Sequence, residues 1–336
     1  MAIPLGNFVS TTTRQRFFNK CVDNAYSGNV LFERLRGRAR PWSGGRRLEF
    51  PINIATRTQG GSFSGFDTLP TTQEDTRILV YADPAEYSSS PLTFSGIQLA
   101  VNKGPEAFLN LMATEFEYSA KDLADKIGTD LYGDGTSNSS KALNGLVYHV
   151  DDGTNVGTWQ SQSRTTYTNL NSTLNAQSGA ALTFTHLATD TDAAQVGNDS
   201  PTLMATTPAV FSIIERLLTP TLQVNYGAAP ATGAATGGQA GIGLSVGANR
   251  LWWRGIPIIS DEKCTSGNLF TLNENHLFLY TLDYTNDVVE SNKEGFAFTG
   301  FKKSQNQNAV VGHLLFAGQL VGDSPRTMAR RTGITS

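Results

Sequence analysis

The stretch Leu131-Tyr132-Gly133-Asp134-Gly135-Thr136, followed by Leu143-Asn144-Gly145-Leu146, stands at the foot of a long amphipathic pattern in this chain of 336 residues. A glycine-rich turn holding an acid ordinarily suggests phosphate or a cation. Gly128 and Gly133 have the spacing of a phosphate loop, but Asp134 occupies the position that needs lysine, and its charge would repel phosphate. The segment also ends a helical pattern, whereas a phosphate loop opens one. A glycine just past a helix end takes the left-handed conformation without steric penalty, and an aspartate bonds backbone amides within the turn. Gly133, Asp134 and Gly135 are therefore expected to cap a helix and to carry shape, not chemistry.

The pattern that this turn closes has Phe108, Met112, Phe116, Ala120, Leu123, Ile127 and Leu131 at spacings of four and three, one apolar stripe along a helix. Gly104-Pro105 supplies a start with proline at the first helical position, and Glu106 suits the first turn. From Pro105 to Tyr132 such a helix runs about 40 Å. Further upstream, Leu48, Phe50, Ile52 and Ile54 alternate with Glu49, Pro51, Asn53 and Ala55, which reads as a half-buried strand. Gly60-Gly61, Gly65 and Pro70 mark an irregular tip, and Thr76 to Tyr81 is the return strand. A two-stranded hairpin is marginal in water alone, so this one needs another surface, its own body's or a partner's. Before it, Phe17, Phe18, Cys21, Val22 and Ala25 form a short helical stripe that looks like a docking arm.

Composition bounds the rest. The length allows about two domains, and 39% hydrophobic residues are enough for a sizeable core. With 33 glycines and 16% charged residues, a mixed or β-rich architecture is expected. Cys21 and Cys264 are too few for a disulfide framework or a cysteine-ligated zinc site, so a reducing compartment is expected. The N-terminus has neither the basic start nor the apolar core of a signal peptide, and no apolar run approaches membrane-spanning length.

Charge is uneven. Residues 1 to 60 carry ten basic side chains (Arg14, Arg16, Lys20, Arg34, Arg36, Arg38, Arg40, Arg46, Arg47, Arg57) against Asp23, Glu33 and Glu49, a surplus of +7 that leaves −10 for the remainder. A basic arm on an acidic body suits either nucleic-acid phosphate or the acidic surface of a neighbouring copy. The neighbour is the preferred reading, because Arg34 to Arg47 runs straight into a strand pattern and not into a flexible tail.

Downstream, Thr207-Pro208 opens a helix carrying Val210, Ile213, Ile214, Leu217 and Leu218, which Pro220 is expected to close. Tyr226 to Ala248 is a low-complexity loop, and strands are expected at Leu251 to Ser260, Leu269 to Leu272, His276 to Leu282, Gly295 to Phe301 and Ala309 to Leu320, before a basic tail with Arg326, Arg330 and Arg331. Gly243-Leu244-Ser245-Val246-Gly247 matches a nucleophile elbow, with Asp261 and His276 following in hydrolase order. That motif needs a strand before the serine and a helix after it, whereas Ser245 sits in a loop leading to a strand, so a chance match is the better reading. His149, His186, His276 and His313 are dispersed, without metal-ligand spacing. Asp190-Thr191-Asp192 begins like a calcium loop but has Gln195 and Pro201 where glycine and glutamate are required. Asp151-Asp152-Gly153 reads as a turn, and Trp252-Trp253-Arg254 as packing inside a strand.

Taken in order, these elements resemble the major capsid proteins of tailed double-stranded DNA bacteriophages, the Hong Kong 97-type fold. The resemblance rests on the arm, the hairpin, the long helix ending at Leu131 to Thr136, Leu143-Asn144-Gly145-Leu146, Leu203-Met204-Ala205-Thr206-Thr207-Pro208 leading a helix, and Trp253 to Ser260 before Gly267-Asn268-Leu269-Phe270. It implies an α+β chain with an N-terminal arm (1–44), an extended β-hairpin loop (45–97), a peripheral domain with a spine helix (98–150 and 283–336) and an axial domain (151–282). It also implies a structural subunit, not an enzyme, forming hexamers and pentamers of an icosahedral head around double-stranded DNA. No catalytic, cofactor or metal residues are then expected. Contacts between subunits fall to Arg34, Arg36, Arg38, Arg40, Arg46, Arg47, Phe50, Ile52, Phe63 and Phe66. Scaffolding, portal and cement proteins would be partners, and the virion the location, after assembly in the host cytoplasm. A cellular encapsulating shell is the close alternative, and a hydrolase using Ser245 the distant one.

Two features set the chain apart within that resemblance. It starts almost directly at the arm, which implies either a processed form or a separate scaffold. Some members join subunits through an isopeptide bond from a loop lysine, but no lysine lies between Lys20 and Lys103, so an uncross-linked shell is expected. Deleting residues 1 to 40 is expected to abolish assembly and leave the protomer folded.

Overall fold

The structure is a computed structural model that describes residues 29–101, 111–223, 251–282, 290–291 and 295–335. The stripe from Phe17 to Ala25, the helix start from Gly104 to Phe108, and the loop 226–248 with Ser245 lie outside the described residues.

The leading helix, Val30–Arg36, begins where Asn29 accepts the Phe32 amide on its Oδ1 at 2.8 Å, satisfying a donor that the helix itself cannot. Leu31, Phe32 and Leu35 are then buried in the main core. This part of the expected arm is therefore body. The spine helix spans Leu111–Leu131. Its stripe sinks progressively: Leu123, Ile127 and Leu131 are fully buried, while Phe116, two turns earlier, is 37% exposed. Each of the buried three contributes about 1.5–3 kcal/mol by leaving water.

Two six-stranded sheets carry the body. The first orders Arg40–Trp42, Leu277–Leu282, Leu314–Gly322, Phe296–Phe298 and Glu290–Ser291, with Ala85–Ser88 also paired to Leu314–Gly322. The second orders Leu251–Trp253, Ile256–Ser260, Leu203–Thr206, Leu269–Leu272, Ala329–Thr332 and Thr173–Ala176. One core cluster joins them, with Leu31, Leu123 and Phe316 on the first side and Leu203, Phe270 and Met328 on the second. A further cluster of Met204, Ile214 and Ile258 lies under the helix Pro208–Gln223.

Pairing departs from sequence order in ways that local pattern does not reveal. Leu277–Leu282 belongs to the first sheet although it falls within the expected axial segment, and Ala329–Thr332 crosses into the second sheet from the expected peripheral segment. The expected single strand from Leu251 to Ser260 is a hairpin: Arg254 (φ 48°) and Gly255 (φ 82°) make a two-residue turn, and Trp253 faces Ile256. Ala309 to Leu320 is likewise two strands. Ala309–Gly312 pairs with Leu92–Ser95 and Lys302–Lys303, and Leu314–Gly322 enters the first sheet. Pro220 lies inside the helix Pro208–Gln223 and does not end it.

The hairpin pairs Leu48–Asn53 with Arg77–Ala82 in antiparallel register, Phe50 facing Val80. Within the segment that the sequence reading assigns to the loop, up to residue 97, Ala85–Ser88 pairs with Leu314–Gly322 of the first sheet, and Leu92–Ser95 pairs with Ala309–Gly312 in a separate three-stranded sheet.

Candidate assembly surface

The foot of the spine helix is built as a joint. Gly133 donates its amide to the Asp130 carbonyl at 2.9 Å, a tightened last turn, and the left-handed residue is Gly135 (φ 83°). The cap is thus shifted two residues from where a glycine just past the helix was expected to sit. Asp134 accepts the amide and hydroxyl of Thr136, which hold its carboxyl below the ordinary range. A Cβ on Gly145 would strike the carbonyl oxygens of Asp130, Leu131 and Gly133, so no larger residue fits against the helix end. Tyr87 donates to Asp130 at 2.9 Å and accepts the Leu143 amide, while Asn144 donates its amide to Gln319. Tyr132 donates to the buried Asp261, which also takes the Leu31 amide. The joint thereby locks hairpin return, leading helix, spine and both sheets together.

The hairpin's base finds its surface on its own chain. Phe50, Ile52, Ile54 and Ile78 pack on Val80, Trp159 and Leu170, with Tyr148 and Tyr167 beside them. Phe50 and Ile52, expected at a subunit contact, are thus occupied at home. The tip is different. Residues 55 to 73 are exposed throughout, and Phe63, Phe66 and Leu69 are 64%, 103% and 54% exposed. Glu74 steadies the neck by accepting the Thr58 and Gln59 amides. Three large apolar side chains are thus held out from the body on a finger, with no cover among the described residues. Leu69 was legible only as the residue before Pro70.

The arginines are mostly engaged within the chain. Arg34 holds Glu274 through Nε and a terminal nitrogen at 2.5 and 2.8 Å, and Arg38 approaches the same carboxylate at 3.7 Å. Glu274 is 3% exposed, so Arg34 and Arg38 meet a buried acid of their own chain. Arg36 lies near Glu33, Arg40 stacks 3.5 Å over the Phe278 ring, and Arg47 pairs with Asp83 at 2.7 Å and lies over Tyr81. Arg46 is exposed in the segment that leads into the hairpin strand. Of the basic tail, Arg330 and Arg331 are interior, each 5% exposed, while Arg326 is exposed.

Asp261 is bound to Tyr132, Leu31 and Lys263, and His276 sits between Asp323 and Asp199, so the two do not share a hydrogen bond. Among the described residues no group of three His, Cys, Asp or Glu could hold a metal ion, and no helix is long and apolar enough to cross a membrane. Asp151 collects the amides of Gly153, Asn155 and Val156 and is a turn. Trp253 stacks on Phe184 at 5.7 Å and bonds Thr191.

No family profile matches the chain, and no curated protein matches it in sequence. Solved structures do match over its whole length. The capsid asymmetric unit of cyanophage A-1(L) aligns with a TM-score of 0.71 at 15% identity, covering 98% of this chain and 99% of that one. The holo-SrpI encapsulin complex of Synechococcus elongatus gives 0.59 at 12%, covering 99% and 96%. The capsid of Myoviridae phage XM1 gives 0.57 at 12%, covering 99% of each. The chain has the Hong Kong 97-type capsid fold, an α+β architecture.

Proposed function

We propose that this chain is the structural subunit of a tailed-phage head, assembling as hexamers and pentamers into an icosahedral shell around double-stranded DNA. The observation that carries the reading is mutual coverage: this chain and the phage capsid chains align in fold over 98–99% of their lengths. The finger supports it, since Phe63, Phe66 and Leu69 project apolar surface that a neighbouring copy would bury. The spine helix and first sheet form the peripheral domain in this reading, and the second sheet the axial one. Scaffolding, portal and cement proteins complete the set of partners, the chain does no catalysis, and its place is the virion after assembly in the host cytoplasm.

A cellular encapsulating shell is the second reading, favoured by the encapsulin match. Electron microscopy of the expressed protein tests both against a non-assembling role: closed particles are expected, and a small monodisperse species would sink them. Particles purified from the native source then separate the two, because DNA content favours the head and protein cargo the cellular shell. Denaturing electrophoresis of boiled particles should show monomers, since no hairpin lysine exists to form a covalent link; ladders would contradict this.

A further inference from the structure

The second sheet ends in two open edges. Leu251–Trp253 is its outermost strand on one side and Thr173–Ala176 on the other, and each pairs with a single neighbouring strand. The two-residue turn at Arg254-Gly255 closes on Trp253 and Ile256, so the next residue, Trp252, turns its N–H and C=O away from the sheet. At the other edge, Thr173 and Gln177 donate their amides inward to Met328 and Thr332. Alternation along the ladder then sends the N–H and C=O of Leu174 outward. Among the described residues, neither pair of outward groups meets a partner. Open edges are normally blunted by charge, proline or a bulge. These two strands contain neither a charged residue nor a proline, and Trp252 is 43% exposed.

The two edges complement each other in direction, face and bonding. Followed across the sheet, Leu251–Trp253 runs opposite to Thr173–Ala176, so one edge laid against the other in a second copy gives an antiparallel pair. Leu251 and Trp253 pack in the cluster of Met204 and Leu187, and Asn175 bonds Asp190 on the helix that carries Leu187. Trp252 and Leu174 therefore both lie on the other face of the sheet. In an antiparallel ladder, two residues that exchange both backbone bonds stand directly opposite and share a face. Trp252 and Leu174 meet both conditions.

We propose that the second sheet continues from one copy of the chain into the next, Thr173–Ala176 of one protomer pairing with Leu251–Trp253 of its partner and Leu174 standing opposite Trp252. The pairing rests on the shell reading and gives it a contact. Because the two edges differ, the interface is heterologous and propagates around a ring. Each joint is short, and the ring repeats it.

Cross-linking of assembled particles tests the pairing. Within one copy the two strands lie five strand spacings apart, about 24 Å, so a short bis-maleimide between them joins different copies. In a Cys21→Ser, Cys264→Ala background, Leu174→Cys with Trp252→Cys is expected to give a ladder of multimers whose digest joins the two peptides. Thr173→Cys with Trp252→Cys puts the thiols on opposite faces and should give at least ten-fold less. Monomers alone from intact particles, or equal yields from the two pairs, would overturn the proposal and leave the shell reading standing. Failure of the unsubstituted chain to form particles would overturn both. Hydrogen exchange in the unsubstituted chain reads the same contact without substitution: the Leu174 and Trp252 amides should exchange at least ten-fold more slowly in particles than in unassembled protomers, and equal rates would overturn the pairing.

Discussion

Arg331 closes on Asp190 with two parallel hydrogen bonds of 2.7 Å, the two side chains 5% and 1% exposed and the residues 141 positions apart. The pair ties the last strand, Ala329–Thr332, to the helix Phe184–Ala194, and Gln177 takes a further Arg331 proton at 2.7 Å. Asp190 opens the run that resembles a calcium loop, and Arg331 belongs to what reads as a basic tail. Neither partner looks interior in the sequence.

Removing one member leaves the other charged and buried. Asp190→Ala is expected to destabilise the unassembled protomer by about 3–5 kcal/mol. Denaturant unfolding of the variant measures it. A loss under about 1 kcal/mol, the value for an exposed pair, would show that the bridge is not buried in solution.

His149 makes stability depend on acid. Its Nε2–H donates to the Leu320 carbonyl at 3.0 Å and its Nδ1 accepts the Trp159 indole proton at 3.0 Å, so the neutral ring is satisfied and a second ring proton would face another donor. Complete burial pulls its pKa down from 6.5 to about 3, with the nearby Arg164 charge adding to the fall. The unfolded histidine therefore takes up a proton first. Its contribution is fully present above pH 6.5 and is lost as pH falls toward 3, by at most about 1.4 kcal/mol per pH unit. His149→Gln should flatten the stability profile between pH 6 and 4; an unchanged slope would assign the acid sensitivity elsewhere.

The finger should separate folding from assembly. Phe63→Ser with Phe66→Ser changes side chains that are largely exposed in the protomer, so its stability should shift by no more than about 0.5 kcal/mol. Assembly, followed by light scattering, should fall at least ten-fold. Particles forming at the normal rate would remove the finger from the subunit contact.

Truncation distinguishes arm from body. A chain starting at residue 29 should still melt cooperatively. A chain starting at residue 41 loses Leu31, Phe32 and Leu35, three buried side chains of about 1.5–3 kcal/mol each, against a total stability of about 5–15 kcal/mol. It should not fold. Circular dichroism of both chains decides the matter, and it revises the expectation that residues 1 to 40 are dispensable for folding.

Much was legible from local pattern alone. The stripe ending at Leu131 specifies the spine because helical period leaves one face to bury, and alternation from Leu48 specifies a strand because a pleat presents every second side chain to one side. The capping reading of Gly133 to Gly135 followed from the missing lysine, although the structure moves the left-handed residue to Gly135. Trp252 and Trp253 misled, since a two-residue turn at Arg254-Gly255 is invisible when the flanking residues are all strand formers.

What the sequence by itself determined, then, is the class of the chain: its helix, its hairpin and the family it resembles. These rest on spacing and residue type, which act over a few positions. Only the tertiary structure decided that Glu274 is the partner of Arg34, that Phe50 and Ile52 pack at home while Phe63 and Phe66 do not, and that the last strand crosses to the second sheet. Those outcomes depend on contacts between residues tens to hundreds of positions apart, and pairing of that kind is set by global packing, not by any local period.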